Sequence, residues 1–384
     1  MRQAFFSARN ARPLALAVSL AVVAGCGGLS TETNNGGGVT DPRIVWRYPQ
    51  AAAIASPAVD DSAVFYKAAD NRVIAVNKRT GAFRWSSAST GAGQTTGHAL
   101  LVAGAFVVSP DGAIFAFDRR TGAAAWTYSD GPSGGGGYTT LSTDSVRVFA
   151  GSVTGYAYAV DLATGNLAWK TLIATNTSQT NVYDPIVDAG LVVATFRRLE
   201  GPRGFTGGIV ALNATTGSIV WQRELLPASP GLPSGGYGRA AFFGTLVIVS
   251  SADGRVYGLD RATGNNVWVY SQPAQADFSP LVVAGNTVVV APVDESLFGL
   301  DASTGTFRWL VNPHHGSTAS SMTVADGVVY VPFGNGQLGA VDPTAGQILW
   351  STTRSDSLFF WKYPAIDATR VYGAAQNGLY SLRR

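Results

Sequence analysis

Seven side chains of the Asp or Asn type recur at a fixed place in the sequence, four residues before a Gly and eight before a Trp. They are Asn77, Asp118, Asp161, Asn213, Asp260, Asp301 and Asp342. A regular set of carboxylates could be a cofactor signature or supply catalytic bases. However, an Asp or Asn that opens a turn accepts hydrogen bonds from backbone N–H groups further on, and the Gly supplies the positive φ that such a turn needs. The strict spacing therefore favours seven hairpin turns.

Short strands flank each predicted turn. The runs Arg255–Leu259 and Tyr156–Val160 show the alternating apolar, β-branched and aromatic residues that are typical of strands. After the turn, a second strand carries the Trp, which buries about 150–250 Å² when it is packed. We expect eight Trp side chains to act as structural docking residues: Trp46, Trp85, Trp126, Trp169, Trp221, Trp268, Trp309 and Trp350.

A second hairpin precedes each of these units, as in Leu281–Ala291 and Met322–Val331, where two apolar runs are joined by a Gly-containing turn. Each repeat thus contains four short antiparallel strands. The Trp-to-Trp spacings of 39, 41, 43, 52, 47, 41 and 41 residues match one β-propeller blade. The sequence predicts an all-β protein built as a β-propeller.

The two ends of the repeat array predict how the ring closes. Residues 363–384 supply three strands of a further blade, and the missing Trp-bearing strand occurs at the other end, where Trp46 lies 39 residues before Trp85. We therefore expect an eight-bladed propeller of four-stranded antiparallel blades whose last blade is closed by the N-terminal strand. Closure of this kind removes an exposed sheet edge. The propeller is predicted to span residues 43–384 and to be monomeric.

The first 25 residues have the pattern of a signal peptide. Arg2, Arg9 and Arg12 precede an apolar stretch, Leu14 to Ala24, that is too short for a membrane-spanning helix. The stretch ends at Val-Ala-Gly before Cys26, the only Cys in the chain. This arrangement resembles a bacterial lipoprotein signal, which implies cleavage before Cys26 and its acylation; a plain secretory signal or a buried Cys is the alternative. Gly27 after the Cys favours the outer membrane.

Residues 26–42 are rich in Gly, Ser, Thr and Asn, as expected for a flexible tether. Loss of the three signal-peptide Arg residues leaves 24 basic and 24 acidic side chains in the remaining chain. A nucleic-acid partner is therefore not expected, because recognition of a phosphate backbone needs a basic surface. Two or three acyl chains on Cys26 would suffice for stable membrane anchoring, so no transmembrane helix is needed.

Two insertions interrupt the regular repeat, one at residues 196–208 and one at residues 224–239. In a four-stranded meander, both would emerge on the face opposite the Asp and Asn turns. We take this face as a candidate partner-binding surface; the alternative is that the insertions merely cover the ring. Its candidate residues are Arg197, Arg198, Arg203, Phe205, Leu226, Leu232, Tyr237 and Arg239.

Other possible sites are weaker. Gly134–Gly137 has no following helix to form a phosphate cradle and is expected to be an interblade link. His98, His314 and His315 lack further ligands at metal-binding spacing, so we expect solvated loop histidines and no metal site. Trp361 lies outside the repeat and is expected to be a packed core side chain.

The phrase Leu259-Asp260-Arg-Ala-Thr263-Gly264-Asn-Asn-Val-Trp268 resembles the tryptophan-docking repeat of the pyrroloquinoline quinone (PQQ) propellers, and the resemblance covers residues 43–384. This superfamily includes quinoprotein dehydrogenases, which hold PQQ in the central funnel, and BamB-like lipoproteins, which are non-enzymatic subunits of the machinery that inserts β-barrels into the outer membrane. The dehydrogenases are usually longer, place Ca²⁺ and a catalytic Asp beside the quinone, and often have a vicinal disulfide, which a single Cys excludes.

The resemblance to the BamB-like branch implies a non-enzymatic scaffold without a cofactor, lipid-anchored on the periplasmic side of the outer membrane and bound to a protein partner of the cell envelope. The Arg-Gly-Glu-type run and the acidic stretch through which BamB proteins contact their partner have no clear match in residues 170–183 or 224–239. A PQQ-dependent dehydrogenase or PQQ-binding protein is the first alternative, and a carbohydrate-binding or adhesion module is the second.

Overall fold

The structure, a computed structural model, describes thirteen segments of the chain. By compactness the chain divides into Met1–Gly37 and Gly38–Arg384, and every described residue belongs to the second unit. The described residues are 41–49, 55–91, 98–131, 137–173, 180–199, 205–225, 239–251, 254–271, 280–292, 296–312, 321–353, 363–375 and 377–384.

The described residues form eight four-stranded antiparallel sheets, which are the blades of a propeller. The first three blades contain β2 (Ala58–Val59), β3 (Ala63–Lys67), β4 (Val73–Asn77) and β5 (Phe83–Ser86); β6 (Leu101–Ala103), β7 (Phe106–Pro110), β8 (Ile114–Asp118) and β9 (Ala124–Tyr128); and β10 (Ser142–Thr143), β11 (Arg147–Gly151), β12 (Tyr156–Asp161) and β13 (Leu167–Leu172). The fourth, fifth and sixth blades contain β14 (Thr180–Asp188), β15 (Leu191–Leu199), β16 (Phe205–Asn213) and β17 (Ile219–Glu224); β18 (Ala241–Phe243), β19 (Leu246–Ser251), β20 (Arg255–Asp260) and β21 (Asn266–Ser271); and β22 (Leu281–Ala284), β23 (Thr287–Val290), β24 (Leu297–Asp301) and β25 (Phe307–Val311). The seventh blade contains β26 (Thr323–Ala325), β27 (Val328–Pro332), β28 (Leu338–Asp342) and β29 (Gln347–Ser351), and the eighth contains β30 (Ala365–Ile366), β31 (Arg370–Ala375) and β32 (Gly378–Arg383) together with β1 (Ile44–Tyr48).

The predicted fold class and the predicted closure are both confirmed. Strand β1 pairs antiparallel with β32 and so becomes the outermost strand of the eighth blade. Trp46 faces Ser381 in this pairing, in the position that the Trp of each other blade occupies on its own outermost strand. The edge of β32 is therefore covered by a strand from a distant part of the sequence.

Burial explains why the middle strands are continuously apolar. All five residues of β3 and all six of β19 are buried, because each blade is covered on both faces by its neighbours. The outermost strands alternate instead, as in β21, where exposed Val267 and Val269 flank buried Trp268. The first strands of neighbouring blades contact one another, as β2 does with β6 and β30, and surround the ring axis.

The connections separate the ring into two faces. The turn face carries the connections between first and second strands and the Asp or Asn turns between third and fourth strands. The link face carries the connections between second and third strands and the links from one blade to the next. This separation follows from the antiparallel order of four strands.

Candidate functional site

The Asp and Asn turns have the predicted chemistry. In the third blade, Oδ1 of Asp161 accepts hydrogen bonds from the backbone N–H of Ala163 at 3.1 Å and of Thr164 at 2.9 Å, and from the Thr164 hydroxyl at 2.7 Å. Gly165 follows with φ of 76°. The hydrogen bonds from Thr164 hold the pKa of the Asp161 carboxyl below its usual range. These carboxylates are therefore engaged as hydrogen-bond acceptors within their own turns.

Seven of the eight repeat Trp side chains dock on the turn of the next blade, not on that of their own blade. The indole Nε1–H of Trp169 donates to the carbonyl of Ala214 at 2.9 Å, and the ring lies against Gly217, where an added Cβ would approach Trp169 Cδ2 to 2.5 Å. The same pairing of indole and carbonyl occurs at Trp46 and Lys78, Trp85 and Arg119, Trp126 and Leu162, Trp221 and Arg261, Trp268 and Ala302, and Trp309 and Pro343. Seven blade junctions are thus built alike, and we call them the regular junctions.

The junction between the seventh and eighth blades, which we call the seam junction, is built differently. No Asp or Asn turn follows β32, and the guanidinium carbon of Arg43 lies 4.4 Å from the centroid of the Trp350 ring. Asp41, which is buried, accepts hydrogen bonds from the backbone N–H of Arg43 at 2.8 Å and from that of Thr353. A cation–π contact and an Asp side chain from the segment before β1 thus take the place of the turn.

Among the described residues, ion pairs cross four junctions on the turn face. Arg261 directly follows Asp260 in the fifth blade, and its Nη1 lies 2.5 Å from Oδ2 of Asp188 in the fourth blade. The same kind of contact joins Lys78 to Asp367, Arg119 to Asp60 and Arg384 to Asp326. In each case the acidic residue belongs to the blade that precedes the basic one.

A further repeat position was missed in the sequence. In the seven blades with an Asp or Asn turn, the residue opposite the Trp on the third strand is Ala or Gly, two positions before the Asp or Asn: Ala75, Ala116, Ala159, Ala211, Gly258, Gly299 and Ala340. A Cβ on Gly258 or Gly299 would collide with the facing indole. Room for the ring explains why this position is small, and its regular spacing could have revealed it.

The first predicted insertion is mostly strand, which corrects its assignment as a loop. Arg197 pairs with Gly207 and Arg198 with Thr206, so that β15 and β16 each extend to nine residues and carry Arg197, Arg198 and Phe205. Gly207 and Gly208, which end the predicted insertion, are points of close approach between strands, because a Cβ there would collide with the carbonyls of Phe196 and Arg223.

The predicted surface residues occupy two described places on the link face. Arg198 and Arg197 are partly buried on the long strands of blade four, and Arg198 forms an ion pair of 2.7 Å with Glu224. Arg239 is exposed just before β18 and lines the mouth of the central cavity. Arg203, Leu226, Leu232 and Tyr237 lie outside the described residues, as does Cys26.

A cavity of about 360 Å³ opens around the axis on the link face. Its described walls come from the starts of the first strands of seven blades, and they are largely apolar, with Leu281, Val283 and Met322 among them. Arg239 is the only charged side chain among the described lining residues, and Tyr363 contributes a phenol. Burial raises the pKa of Tyr363, so the phenol is protonated at neutral pH.

The structure adds little support for the weaker candidate sites that the sequence suggested. His98 was predicted to be solvated, but it is half-buried, because its Nδ1 lies 3.3 Å from Oγ1 of Thr140, just before the third blade. His314, His315, Trp361 and Gly134 lie outside the described residues.

Within the described segments, no group of three or more His, Cys, Asp or Glu side chains could hold a metal ion. The same part of the chain contains no helix long and apolar enough to cross a bilayer.

Comparisons with known proteins agree on the fold. A family model described as outer membrane protein assembly factor BamB matches residues 35–197 and 206–358. No curated protein matches the sequence.

Three solved structures illustrate the range of proteins that share this ring. The computationally designed Ika8 protein aligns with a TM-score of 0.71 at 18% identity, over 90% of this chain and 100% of its own. BamB from Moraxella catarrhalis aligns with a TM-score of 0.62 at 16% identity, over 90% of this chain and 96% of its own. Quinohemoprotein alcohol dehydrogenase ADHIIG from Pseudomonas putida HK5 aligns with a TM-score of 0.68 at 16% identity, over 88% of this chain and 72% of its own. At these identities the structures share the fold alone.

Proposed function

This chain belongs to the family of the outer membrane protein assembly factor BamB, and from that premise we propose that it is a non-enzymatic, lipid-anchored scaffold of the bacterial cell envelope. In this role it binds a protein partner of the machinery that assembles outer-membrane β-barrel proteins. The observation that carries the proposal is the family match, which extends over most of the ring.

The turn chemistry supports a scaffold. The repeated carboxylates, which are the most regular candidates for a catalytic or metal-binding set, already accept hydrogen bonds from their own turns, as Asp161 and Asp260 do. Their oxygen atoms hold the hairpins in shape, and the hairpins in turn hold the Trp of the preceding blade. A rigid ring with varied connections on one face suits protein recognition.

We place the partner-binding surface on the link face, around the long strands of the fourth blade. Arg197 and Arg198 extend from a sheet that is longer than the others, and the pair of Arg198 with Glu224 fixes one guanidinium near the edge of the ring. Arg side chains held in this way are common at the centres of interfaces. Phe205 and the predicted residues of both insertions belong to the same proposed surface.

Co-purification from envelope membranes tests this surface. Arg198→Gln should weaken capture of the barrel-assembly partner roughly tenfold, since a central Arg can contribute 2 kcal/mol or more. Arg120→Gln is the matched control, because Arg120 is an exposed Arg on the turn face. Equal capture by both variants would remove Arg198 from the interface, and absence of any assembly subunit from the wild-type preparation would refute the scaffold role.

The anchor is tested separately. We propose that Cys26 is acylated, so Cys26→Ser should abolish incorporation of radiolabelled palmitate and leave the precursor unprocessed. Ser30→Ala, four residues further on, is the control and should be labelled normally. Palmitate incorporation into the Cys26→Ser variant would show that the lipid is attached elsewhere.

The alternative of a PQQ-dependent dehydrogenase is favoured only by the central cavity and the shared ring. The described residues do not fit a Ca²⁺-bound quinone, because they provide no cluster of metal ligands and only one cation, Arg239, lines the cavity for the three carboxylates of PQQ. An equilibrium titration with PQQ and Ca²⁺ distinguishes the two functions. Tight binding, followed by reduction of an artificial electron acceptor in the presence of an alcohol, would establish the enzyme.

A further inference from the structure

The described wall of the central cavity has a definite order around the ring axis. The first strands β18, β22, β26, β30 and β2 contact one another in that sequence, so the fifth, sixth, seventh, eighth and first blades are successive neighbours. In the same order the cavity is lined by Arg239, then Leu281 and Val283, then Met322, then Tyr363 and finally Ser56. This half of the wall therefore runs from a cation across an apolar stretch to two hydroxyl groups.

Arg239 departs from the pattern of the repeat. It stands two positions before the first strand of its blade. In the other blades whose residue at this position is described, the equivalents are Ser56, Ala99, Thr140, Ser321 and Tyr363. None of these is charged, and a side chain as small as that of Ala is sufficient. The ring therefore does not need a cation here, which favours a role for Arg239 in binding.

The guanidinium of Arg239 is available to a ligand. It forms no ion pair or hydrogen bond with any residue of the described segments, in contrast to Arg198, Arg261 and Arg384, which are paired. No acidic side chain is among the described lining residues. A guanidinium binds a carboxylate through two parallel hydrogen bonds. One carboxylate balances its charge, whereas a phosphate monoester carries about −1.5 to −2 at neutral pH and would leave negative charge in the cavity.

The other end of this wall is polar but uncharged. The hydroxyl of Ser56 is buried and has no hydrogen-bond partner among the described residues. The phenol of Tyr363, which stays protonated, forms no hydrogen bond with a described residue either. A buried hydroxyl without a partner is unfavourable, so a ligand group that both donates and accepts would stabilise this end. A neutral hydroxyl meets that requirement.

The middle of the wall and the volume define the rest of the ligand. Leu281, Val283 and Met322 separate the cation from the two hydroxyl groups and offer only apolar side chains. A volume of about 360 Å³ lies at the lower end of the range for ligand pockets. The cavity thus suits a compact molecule with an apolar body between two different polar ends.

We propose that the central cavity binds a compact monocarboxylate with an uncharged hydroxyl at the far end of an apolar body, such as a hydroxyphenyl or hydroxyalkyl carboxylate. Arg239 binds the carboxylate, the apolar wall contacts the body, and Ser56 and Tyr363 form hydrogen bonds with the hydroxyl. This site lies at the ring axis and does not depend on the scaffold role.

Calorimetric titration of the full-length protein with 3-(4-hydroxyphenyl)propanoate and with 8-hydroxyoctanoate tests the site. Two analogues separate the contacts: 3-phenylpropanoate lacks the hydroxyl, and 4-propylphenol lacks the carboxylate. We expect saturable binding of at least one hydroxy acid. Loss of the carboxylate should weaken binding at least about tenfold and loss of the hydroxyl roughly two- to tenfold, because hydrogen bonds to charged groups contribute more than neutral ones.

Three variants assign each contact to a residue. Arg239→Gln should weaken binding of the hydroxy acid at least about tenfold and leave the weaker binding of 4-propylphenol unchanged. Ser56→Ala and Tyr363→Phe should weaken binding of the hydroxy acid roughly two- to tenfold and leave that of 3-phenylpropanoate unchanged. Arg120→Gln on the turn face is the control and should bind normally. Removal of the Ser56 hydroxyl breaks no described hydrogen bond, so the melting temperature should not fall.

Several results would overturn the proposal. These are the absence of heat with both hydroxy acids, equal affinity for 3-phenylpropanoate, full affinity in the Arg239→Gln variant, or full affinity in both hydroxyl variants. Ser56 and Tyr363 are not part of the proposed partner-binding surface, so their variants should capture the assembly partner normally. Failure of the cavity site is therefore separable from failure of the scaffold role.

Discussion

The regular junctions and the seam junction hold neighbouring blades together with different groups. At a regular junction the indole of one blade donates to a turn carbonyl of the next and lies flat on a Gly, as Trp268 does on Gly305. At the seam junction the ring of Trp350 lies under the guanidinium of Arg43, and Asp41 binds the backbone at Thr353. Trp268 is buried whereas Trp350 is only half-buried, but Trp126 and Trp309 of regular junctions are half-buried as well. The two kinds of junction therefore differ in the groups that hold the ring and not consistently in how far the ring is buried.

The largest effect should come from removing β1. Deletion of residues 42–48 takes away the outermost strand of the eighth blade, the docked Trp46 and both contacts of Arg43. Truncation of one buried Trp alone costs about 3–5 kcal/mol, so the loss should exceed that range. Chemical denaturation measures it, and an unchanged midpoint would show that the ring does not depend on its closure.

Truncation of single Trp side chains should rank the two kinds of junction. Trp268→Ala removes a buried ring and its hydrogen bond, and should cost about 3–5 kcal/mol of the free energy of unfolding. Trp350→Ala should cost about half as much or less, because that ring is partly solvated. Urea denaturation of both variants measures the difference. An equal loss would mean that the seam junction is as tightly packed as the junction at Trp268.

The glycine under the ring allows a matched comparison. Gly305→Ala places a Cβ 2.5 Å from the Trp268 ring, at a φ of 71°. Gly285→Ala has a similar φ of 59°, but nothing lies within 4 Å. Both should lose roughly 1–2 kcal/mol to backbone strain, and Gly305→Ala should lose further stability because the indole must move. Thermal unfolding of the two variants isolates the contribution of the ring contact, which is absent if their melting temperatures coincide.

The smallest effect concerns acid stability. Hydrogen bonds from Thr164 depress the pKa of Asp161 in the folded protein, so its contribution is fully present above the usual carboxyl value of 3.8 and is lost as the pH falls through the folded value. Asp161→Asn keeps the acceptor oxygen, as Asn77 and Asn213 do in their turns. The variant should match the wild type near pH 7 and should lose less stability below pH 3.8. Parallel melting curves over that range would refute this account.

Much of the ring could be predicted from the sequence, because one type of turn with its Trp is repeated along the chain. Each of the seven turns can be recognised in the sequence, because it needs an Asp or Asn acceptor and a Gly and is followed by a Trp at a fixed distance. The incomplete eighth copy of the repeat predicts the closure by β1. The target of each Trp could not be predicted, because the indole packs on the neighbouring blade and not on residues close in sequence.

The candidate site was less predictable for a related reason. Gly207 and Gly208 satisfy a turn pattern as well as they satisfy close strand approach, and only the partner strands decide between the two. Arg239 was identified from its place in an insertion, but its position at the cavity depends on the ring as a whole. Tyr363 carries no repeat signal, and it too lines the cavity only because the whole ring places it there.

The ion pairs across four junctions have a consequence for assembly and evolution. A ring made of similar blades must prevent a blade from docking on the wrong neighbour, and the shared Trp and Gly residues give no discrimination. Each exposed pair contributes only about 0–1 kcal/mol, yet Arg261 finds an acidic partner on the fourth blade and Arg119 finds one on the first. Mismatched blades would leave these charges unpaired. The duplication or loss of a blade during evolution must therefore preserve matching charges at the new boundary, or the correct neighbour loses this advantage.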